Sequence, residues 1–406
     1  VVNQDGELLR EYLNPEFQNP TGVFVNDEYL FVADKDARTV FRIDLETETV
    51  VQKIEKPTSP IFGNNNAFVP IKVAVGTNDS IYIVGEGSTN GIIQMNYAGE
   101  FVGYLGINTV ETSLRKKLYN FFVKDSSLAS TRPSSPTNIA IGSKGSVLTT
   151  NINVTESFKR LNISGVNTLP EKTVYPTVEL ADIWMNEEDY IYIVAVSGEV
   201  YEYDAVGNFL FYFNTKDKTI KQSLGLTSKP SAIVTDAEGN IYILDKNYNN
   251  VQIYQRTVFV DLVHEAVTMY NNGRYLESKP LWEEIIRQNS SFALAHSALG
   301  AALTKEKNFQ EALEEYYDAK DYDGYSNAFW EIRNQSIQKN LPLWVLIIVG
   351  AFILYKVLRM VLKRHPLPIR IQEHKLLSDC VLSLRMIRHP LDVIYYVKRK
   401  EKGSYL

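Results

Sequence analysis

The apolar residues of the first 260 positions come in short bursts. Runs of four or five read YLFVA (Tyr29–Ala33), IYIV (Ile81–Val84), VLTT (Val147–Thr150), IYIV (Ile191–Val194) and IYIL (Ile241–Leu244), spaced 44 to 66 residues apart. A polar turn precedes most of them, such as Asn78-Asp79-Ser80 or the stretch from Asp236 to Asn240. An alternating segment follows each, as in VFRID (Val40–Asp44) and VYEYD (Val200–Asp204). β-Branched and aromatic residues at a period of two predict strands. Further strands lie upstream (Ile71–Val75, Ser231–Thr235) and downstream (Phe101–Leu105, Phe209–Phe213). Past residue 260 the apolar period lengthens to that of a helix, and from Leu341 to Leu362 polar positions almost vanish.

Four short antiparallel strands in each ~40–50 residues is the pattern of a propeller blade. Five whole blades can be counted. The opening VVNQDGELLREYL matches the second half of another; compare IIQMNYAGEFVGYL. The expectation is a six-bladed β-propeller over residues 1–260, its first blade completed by residues upstream; a β-sandwich is the alternative. Gly106 to Pro136 interrupts the period. Its Leu114, Leu118, Phe121 and Phe122 fall at helical spacing, so a short helix over Thr109–Phe122 is expected, as a lid, a partner contact or a packed decoration.

Residues 261–339 read as helices in which two segments superimpose with a shift of 34. Ala266 then pairs with Gly300, Tyr275 with Phe309, and Trp282 with Tyr316. Small residues recur where helices would touch, and aromatics recur where they would fill the gap. A third helix is expected over Tyr325–Gln338. The first fifteen residues of Leu341–Leu362 carry no charge, and Lys356 and Arg359 are the only charges in the rest. At ~1.5 Å per residue this stretch spans ~33 Å, close to the ~30 Å hydrocarbon core of a bilayer. Asn340 is expected to cap this transmembrane helix and Pro342 to occupy its first turn.

Charge orients the span. From residue 341 onward there are 12 Lys+Arg against 4 Asp+Glu, a net of +8, whereas residues 1–340 carry a net of −14. Basic residues stay on the cytoplasmic side of membrane helices, so residues 1–340 are expected outside a bacterial cell membrane and residues 363–406 inside. The only cysteine, Cys380, lies on the expected inner side, so the outer part has no disulfide. That suits a bacterial surface better than a eukaryotic secreted protein. The chain opens in mid-pattern, and an upstream piece carrying an export signal is expected. After the span, Leu377, Cys380, Val381, Leu384 and Ile387 share one helical face edged by Arg385 and Arg388. This predicts an amphipathic interfacial helix in contact with membrane lipids.

Three family resemblances follow from these residues. The pattern D/N-x-x-G-x-I-Y-I…V-x-x-Y-D resembles NHL-type propeller repeats over residues 1–260. FALAHSALGAALTKEKNFQEALEEYYDAK resembles tetratricopeptide repeats over residues 261–339. RMIRHPLDVIYYVKRKEKGS (Arg385–Ser404) resembles the entry to a Yip family membrane domain, which implies further membrane helices downstream. Bacterial proteins with this order of segments are often encoded beside carbohydrate ABC importers. The resemblance therefore implies an accessory subunit docking a permease, an ATPase, a solute-binding protein or a glycan.

Candidate chemistry is sparse. The five histidines are His264, His296, His365, His374 and His389, so residues 1–260 hold neither histidine nor cysteine. This argues against propeller hydrolases and lyases, which draw bases and ligands from histidine, and against soft-metal sites. No cofactor is expected. An all-oxygen Ca²⁺ site using Asp34, Asp36 and Asp245 is the one metal option, with turn-capping as its rival. Basic residues outside are scattered and outnumbered, which excludes nucleic acid. Two loops mix aromatic rings with amides and carboxylates, as sugar or peptide surfaces do. These are SPIFGNNNAFVP, with Phe62, Asn64, Asn65, Asn66 and Phe68, and KDYDGYSNAFW, with Tyr322, Tyr325, Phe329 and Trp330. Core closure is the rival reading for both. The function expected is a membrane-anchored interaction scaffold, not an enzyme, with a transmembrane sensor as the alternative and a propeller hydrolase or lyase after it.

Overall fold

The computed structural model describes residues 1–3, 6–107, 134–152, 155–217 and 223–364. Eighteen strands form five antiparallel sheets. The first holds β1 (Pro20–Val25), β2 (Tyr29–Asp34), β3 (Thr39–Asp44) and β4 (Val50–Ile54). The second holds β5 (Pro70–Val75), β6 (Ile81–Gly85), β7 (Ile92–Met95) and β8 (Phe101–Leu105). The third has β9 (Pro136–Ile141), β10 (Val147–Asn151) and β11 (Phe158–Leu161). The fourth has β12 (Leu180–Met185), β13 (Ile191–Ala195), β14 (Val200–Tyr203) and β15 (Phe209–Phe213). The fifth has β16 (Pro230–Thr235), β17 (Ile241–Asp245) and β18 (Asn250–Tyr254).

Each apolar burst is the second strand of a sheet. In β6, β10 and β13 every residue is buried, because a blade is covered on both faces by its neighbours. That is why these strands read as unbroken apolar runs instead of alternating ones. The Asp/Asn-x-x-Gly turn recurs with one geometry, between the outer strands β14 and β15 and between β16 and β17. Asp204 Oδ1 accepts from Asn208 N at 2.8 Å and Asp236 Oδ1 from Asn240 N at 2.7 Å. Gly207 and Gly239 close these turns at φ of 89° and 80°, a region that favours glycine.

The propeller has five blades, not the six expected. Residues 1–13, read as half a blade, form only a short bridge between Val2 and Leu8, tied back by Arg10 Nη1 to Leu45 O at 3.0 Å. The misreading has a local cause. Asn3 and Gly6 build the same capped turn found between outer strands, with Glu7 N donating to Asn3 Oδ1 at 2.8 Å, but among the described residues no inner strands pair with it. The innermost strands pack in the series β1, β5, β9, β12, β16, and the ends of the series, β16 and β1, do not pack in this way. The outward faces of the end sheets leave Val23, Val25, Val234, Leu244, Val251 and Ile253 exposed.

Five helices follow: α1 (Val258–Asn271), α2 (Tyr275–Gln288), α3 (Ala293–Lys305), α4 (Phe309–Asp318) and α5 (Tyr322–Arg364). Thr257 caps α1, accepting from Val260 N. Each helix packs on the next. Gly300 is required where α3 meets α4, since a Cβ there would lie 2.9 Å from the Tyr316 ring. The helices share one core cluster with blades 4 and 5, joining Val194, Ile233 and Ile243 to Val263, Trp282 and Ile285.

These helices are not shown to be tetratricopeptide repeats. Only two helix pairs precede α5, and α5 does not turn back as a third pair would; it runs on for 43 residues. An array of that kind needs about three repeats. The expected helix start at Asn340 is also corrected. Asn340 lies inside α5, its Nδ2 donating to Ser336 O at 2.9 Å, and Pro342 sits mid-helix. The expected helix over Thr109–Phe122 and the whole of the amphipathic and Yip-like segments lie outside the described residues.

Candidate functional site

The first predicted loop joins β4 to β5, and its rings face inward. Phe62 is 1% exposed and Phe68 3%, both in the core between blades 1 and 2. Phe62 packs against Phe101 and Tyr104, and Asn66 Nδ2 donates to Tyr104 Oη at 3.1 Å. Of the five predicted residues, only Asn64 and Asn65 remain exposed. The loop closes the core, and the flat apolar face expected of it is not available. The second set differs: Tyr322, Tyr325, Phe329 and Trp330 are all exposed on α5, Tyr322 by 77% and Trp330 by 49%. Tyr322, Tyr325 and Phe329 fall on one stripe at spacings of three and four.

The calcium candidates serve as caps. Asp34 accepts from Gln18 N, Asn19 N and Ala37 N at 2.8–3.0 Å. Asp245 accepts from Ser228, Lys229, Asn247 and Tyr248 N at 2.5–3.2 Å. Both carboxylates close β2 and its counterpart β17, and the N–H dipoles around them oppose a cation. Asp36 accepts from Asn19 Nδ2 at 3.0 Å. Among the described residues no three His, Cys, Asp or Glu gather as a metal site.

A funnel of about 430 Å³ opens at one end of the propeller axis, lined by turns from all five blades. Blade 4 contributes most, through Trp184, Asn186, Glu187 and Glu188. The Trp184 Nε1–H donates to Thr235 Oγ1 at 3.1 Å, which pins the half-buried indole between blades 4 and 5. Deeper on the axis Lys72 of blade 2 reaches Asp182 of blade 4 at 3.3 Å, crossing the channel. Burial pushes the Asp182 carboxyl up, opposed by Lys72 and by the Ile233 N–H at 3.1 Å.

Arg256, at the end of the propeller, borders the funnel and also touches the helices. It donates to Glu238 O at 3.1 Å, and its guanidinium lies 3.7 Å from Glu188 and 3.4 Å from Asp261 of α1. Its Nη1 meets His264 Nδ1 at 3.3 Å, while His264 Nε2 meets Glu202 Oε1 at 2.5 Å. A guanidinium has only donors, so Nδ1 accepts and Nε2 carries the proton facing Glu202. Tyr190 stacks on the His264 ring at 4.0 Å and donates to His264 O at 3.2 Å. Burial pushes the Tyr190 hydroxyl up to about 12. This polar seam lies between blade 4 and α1.

His296 lies in the helices, its Nδ1 2.7 Å from Glu315 and its Nε2 3.0 Å from Ser290 O. Burial lowers its basicity, but Glu315 and Ser290 outweigh that and raise it above the ordinary 6.5. A raised value in the folded state contributes stability that is whole below the unfolded value and fades as pH rises through the folded one. Thermal midpoints should therefore show this contribution in full below the ordinary 6.5 and lose it as pH rises above that value, and Glu315→Gln should flatten the difference. An unchanged pH profile in that variant contradicts the assignment.

No family model matches the chain, and no curated protein matches it. Similar solved structures include a structural genomics protein of unknown function from Bacteroides thetaiotaomicron, at 15% identity and TM-score 0.39, covering 56% of this chain and 53% of that one. The WD40 β-propeller domain of Doa1 matches at 9% identity and TM-score 0.40, over 58% of this chain and 63% of that one. Kuenenia stuttgartiensis hydrazine synthase matches at 12% identity and TM-score 0.36, over 59% and 84%. This chain thus spans about half the length of the Bacteroides protein. The chain is a β-propeller followed by helices, one of them long and apolar enough to cross a membrane.

Proposed function

We propose that this protein is a membrane-anchored docking platform whose propeller and helices are held outside a bacterial cell. The observation that carries the reading is α5. Its first turns pack on α4 and α3, and the same helix runs without a break into an apolar segment with every residue from Leu341 to Val361 exposed. In water that surface is costly; in a bilayer it is matched. The exposed aromatic stripe on α5 and the apolar end faces of the propeller further support a docking role, since contiguous exposed apolar surface marks interaction sites. The two described histidines are engaged in the seam and in the helices. The partner class that the order of segments suggests is a carbohydrate ABC import system: permease, ATPase, solute-binding protein or a glycan.

Membrane attachment has a direct check. The chain should stay with membranes through alkaline carbonate washing. Ile347→Arg with Ile348→Arg should release it, because each central arginine costs about 2.5–3.5 kcal/mol on insertion scales. Retention of the double variant removes the anchor. Native membranes solubilised in mild detergent should then yield this chain together with permease and ATPase subunits; isolation of the chain alone rejects the docking reading.

A transmembrane sensor is the second reading. Arg256 favours it, because it touches both the funnel and α1. A ligand-dependent change in protease sensitivity after Arg364 distinguishes it from a passive platform.

A further inference from the structure

We propose that the axial funnel binds an organic cation, an ammonium or guanidinium group, held between the Trp184 indole and the Glu187, Glu188 and Asp236 carboxylates. The inference is independent of the membrane anchor. It starts from which groups in the funnel are free. Ser143 Oγ is already spent on Asp189 at 3.0 Å, and the Trp184 N–H on Thr235. Arg256, the one cation in the lining, is shared among Glu238 O, Glu188, Asp261 and His264. Among the described residues, the side-chain donors of the lining left without a bond are uncharged, the Thr77 hydroxyl and Asn186 Nδ2. The free acceptors are charged. Glu187 is exposed and, among the described residues, its side chain has no hydrogen-bond or ion-pair partner. Among the described residues Glu188 is held only by the 3.7 Å contact to Arg256. Asp236 accepts from Asn240 and Tyr242 at 2.7–2.9 Å and keeps its charge in the lining.

The lining therefore carries three carboxylates and one guanidinium. An anion is repelled. A neutral sugar would find only the Thr77 hydroxyl and the Asn186 amide as free side-chain donors and would leave the negative charge of the carboxylates unbalanced. A cation satisfies both the field and the free lone pairs, and an indole is the best aromatic partner for it. The indole is fixed by its bond to Thr235, so its place beside the carboxylates is set before anything binds. At about 430 Å³ the funnel accepts a polyamine or one basic side chain of a partner protein. Glu188 adds a consequence. A cation beside it competes with Arg256, which also contacts Asp261 and His264 of α1, so occupancy is felt at the junction with the helices.

The test is calorimetric titration of the full chain in lipid nanodiscs with spermidine, with N-acetyl-arginine amide and with maltose. At least one of the two cations should bind, weakening as salt is raised, and maltose should not. Glu187→Gln should weaken cation binding about fivefold and Trp184→Phe about threefold, in line with roughly 1 kcal/mol or less for each contact. Glu187→Gln should leave the thermal midpoint unchanged, since this carboxylate is exposed and unpaired, so a loss of binding in it cannot be a loss of fold. Spermidine alone binding assigns the site to a free polyamine, and the arginine amide alone to a partner's side chain. The proposal is overturned if neither cation binds at millimolar concentration, if both variants bind like the parent, or if maltose competes.

Discussion

Replacing Glu202 by alanine is expected to destabilise the contact between blade 4 and α1 by about 2–4 kcal/mol, the cost of leaving two buried donors without their acceptor. Glu202 is 3% exposed and His264 6%. Without the carboxylate, the proton on His264 Nε2 and the Tyr192 hydroxyl both lose their acceptor in a place water does not reach. Glu202→Gln keeps an acceptor for one of them and should cost about 1 kcal/mol. The readout is limited proteolysis between Tyr254 and Asn272 together with the thermal midpoint in detergent micelles. Glu202→Ala should open the α1 junction to cleavage at temperatures where the parent resists. If the alanine and glutamine variants behave alike, the seam is not held by this pair.

Trp282→Ala should cost a similar amount, about 3–5 kcal/mol, by a different mechanism. Trp282 is fully buried at the meeting of α1, α2 and α3, edge-on to Tyr270 with ring centroids 6.2 Å apart. Its Nε1–H donates to Ser278 Oγ at 3.2 Å. Alanine leaves a large apolar cavity, while the Ser278 hydroxyl keeps its bond to Tyr275 O; phenylalanine fills most of the volume and should cost less than half as much. Circular dichroism should show helical signal melting before the propeller in the alanine variant. A single melt at the parent's temperature contradicts the role given to this ring.

The two large effects differ in how easily their residues are seen in the chain. Trp282 stood out because the shift of 34 set it opposite Tyr316, and both rings fill a gap beside a small residue, Ala266 or Gly300. Glu202 did not. It occupies the middle of VYEYD, where alternation reads a solvent-facing polar position, yet that position in β14 is covered by α1. Periodicity reports which face a residue occupies, not what a later element lays over it. The five apolar bursts were legible because β6, β10 and β13 lie between neighbouring blades, while β2 and β17 are each covered on one face. The blade count was not, because the capped turn at Asn3–Gly6 is a local signal that a hairpin satisfies alone. Asn340 and Pro342 likewise carry a local helix-start signal, which the continuous helix on either side overrides. The loop of Phe62 and Phe68 has the composition of a binding surface, and only packing reveals that its rings are spent on the core. The funnel was not legible for a topological reason: Trp184 and Glu187 at the end of β12, Asp236 after β16 and Arg256 after β18 are brought together by the ring. The acid-rich stretch MNEEDY (Met185–Tyr190) was its one visible trace.

The unbroken course of α5 also sets a compass bearing. With Leu341–Leu362 in a bilayer, the eight residues between Ile332, which still packs on the head, and Leu341 hold the head about 12 Å above the surface. A helix turns about 100° per residue, so one residue more or less in this stretch would swing the funnel and the aromatic stripe to another side of the stalk without altering either. Which neighbour in the membrane can meet the propeller is thereby decided by a count of residues, not by the propeller itself.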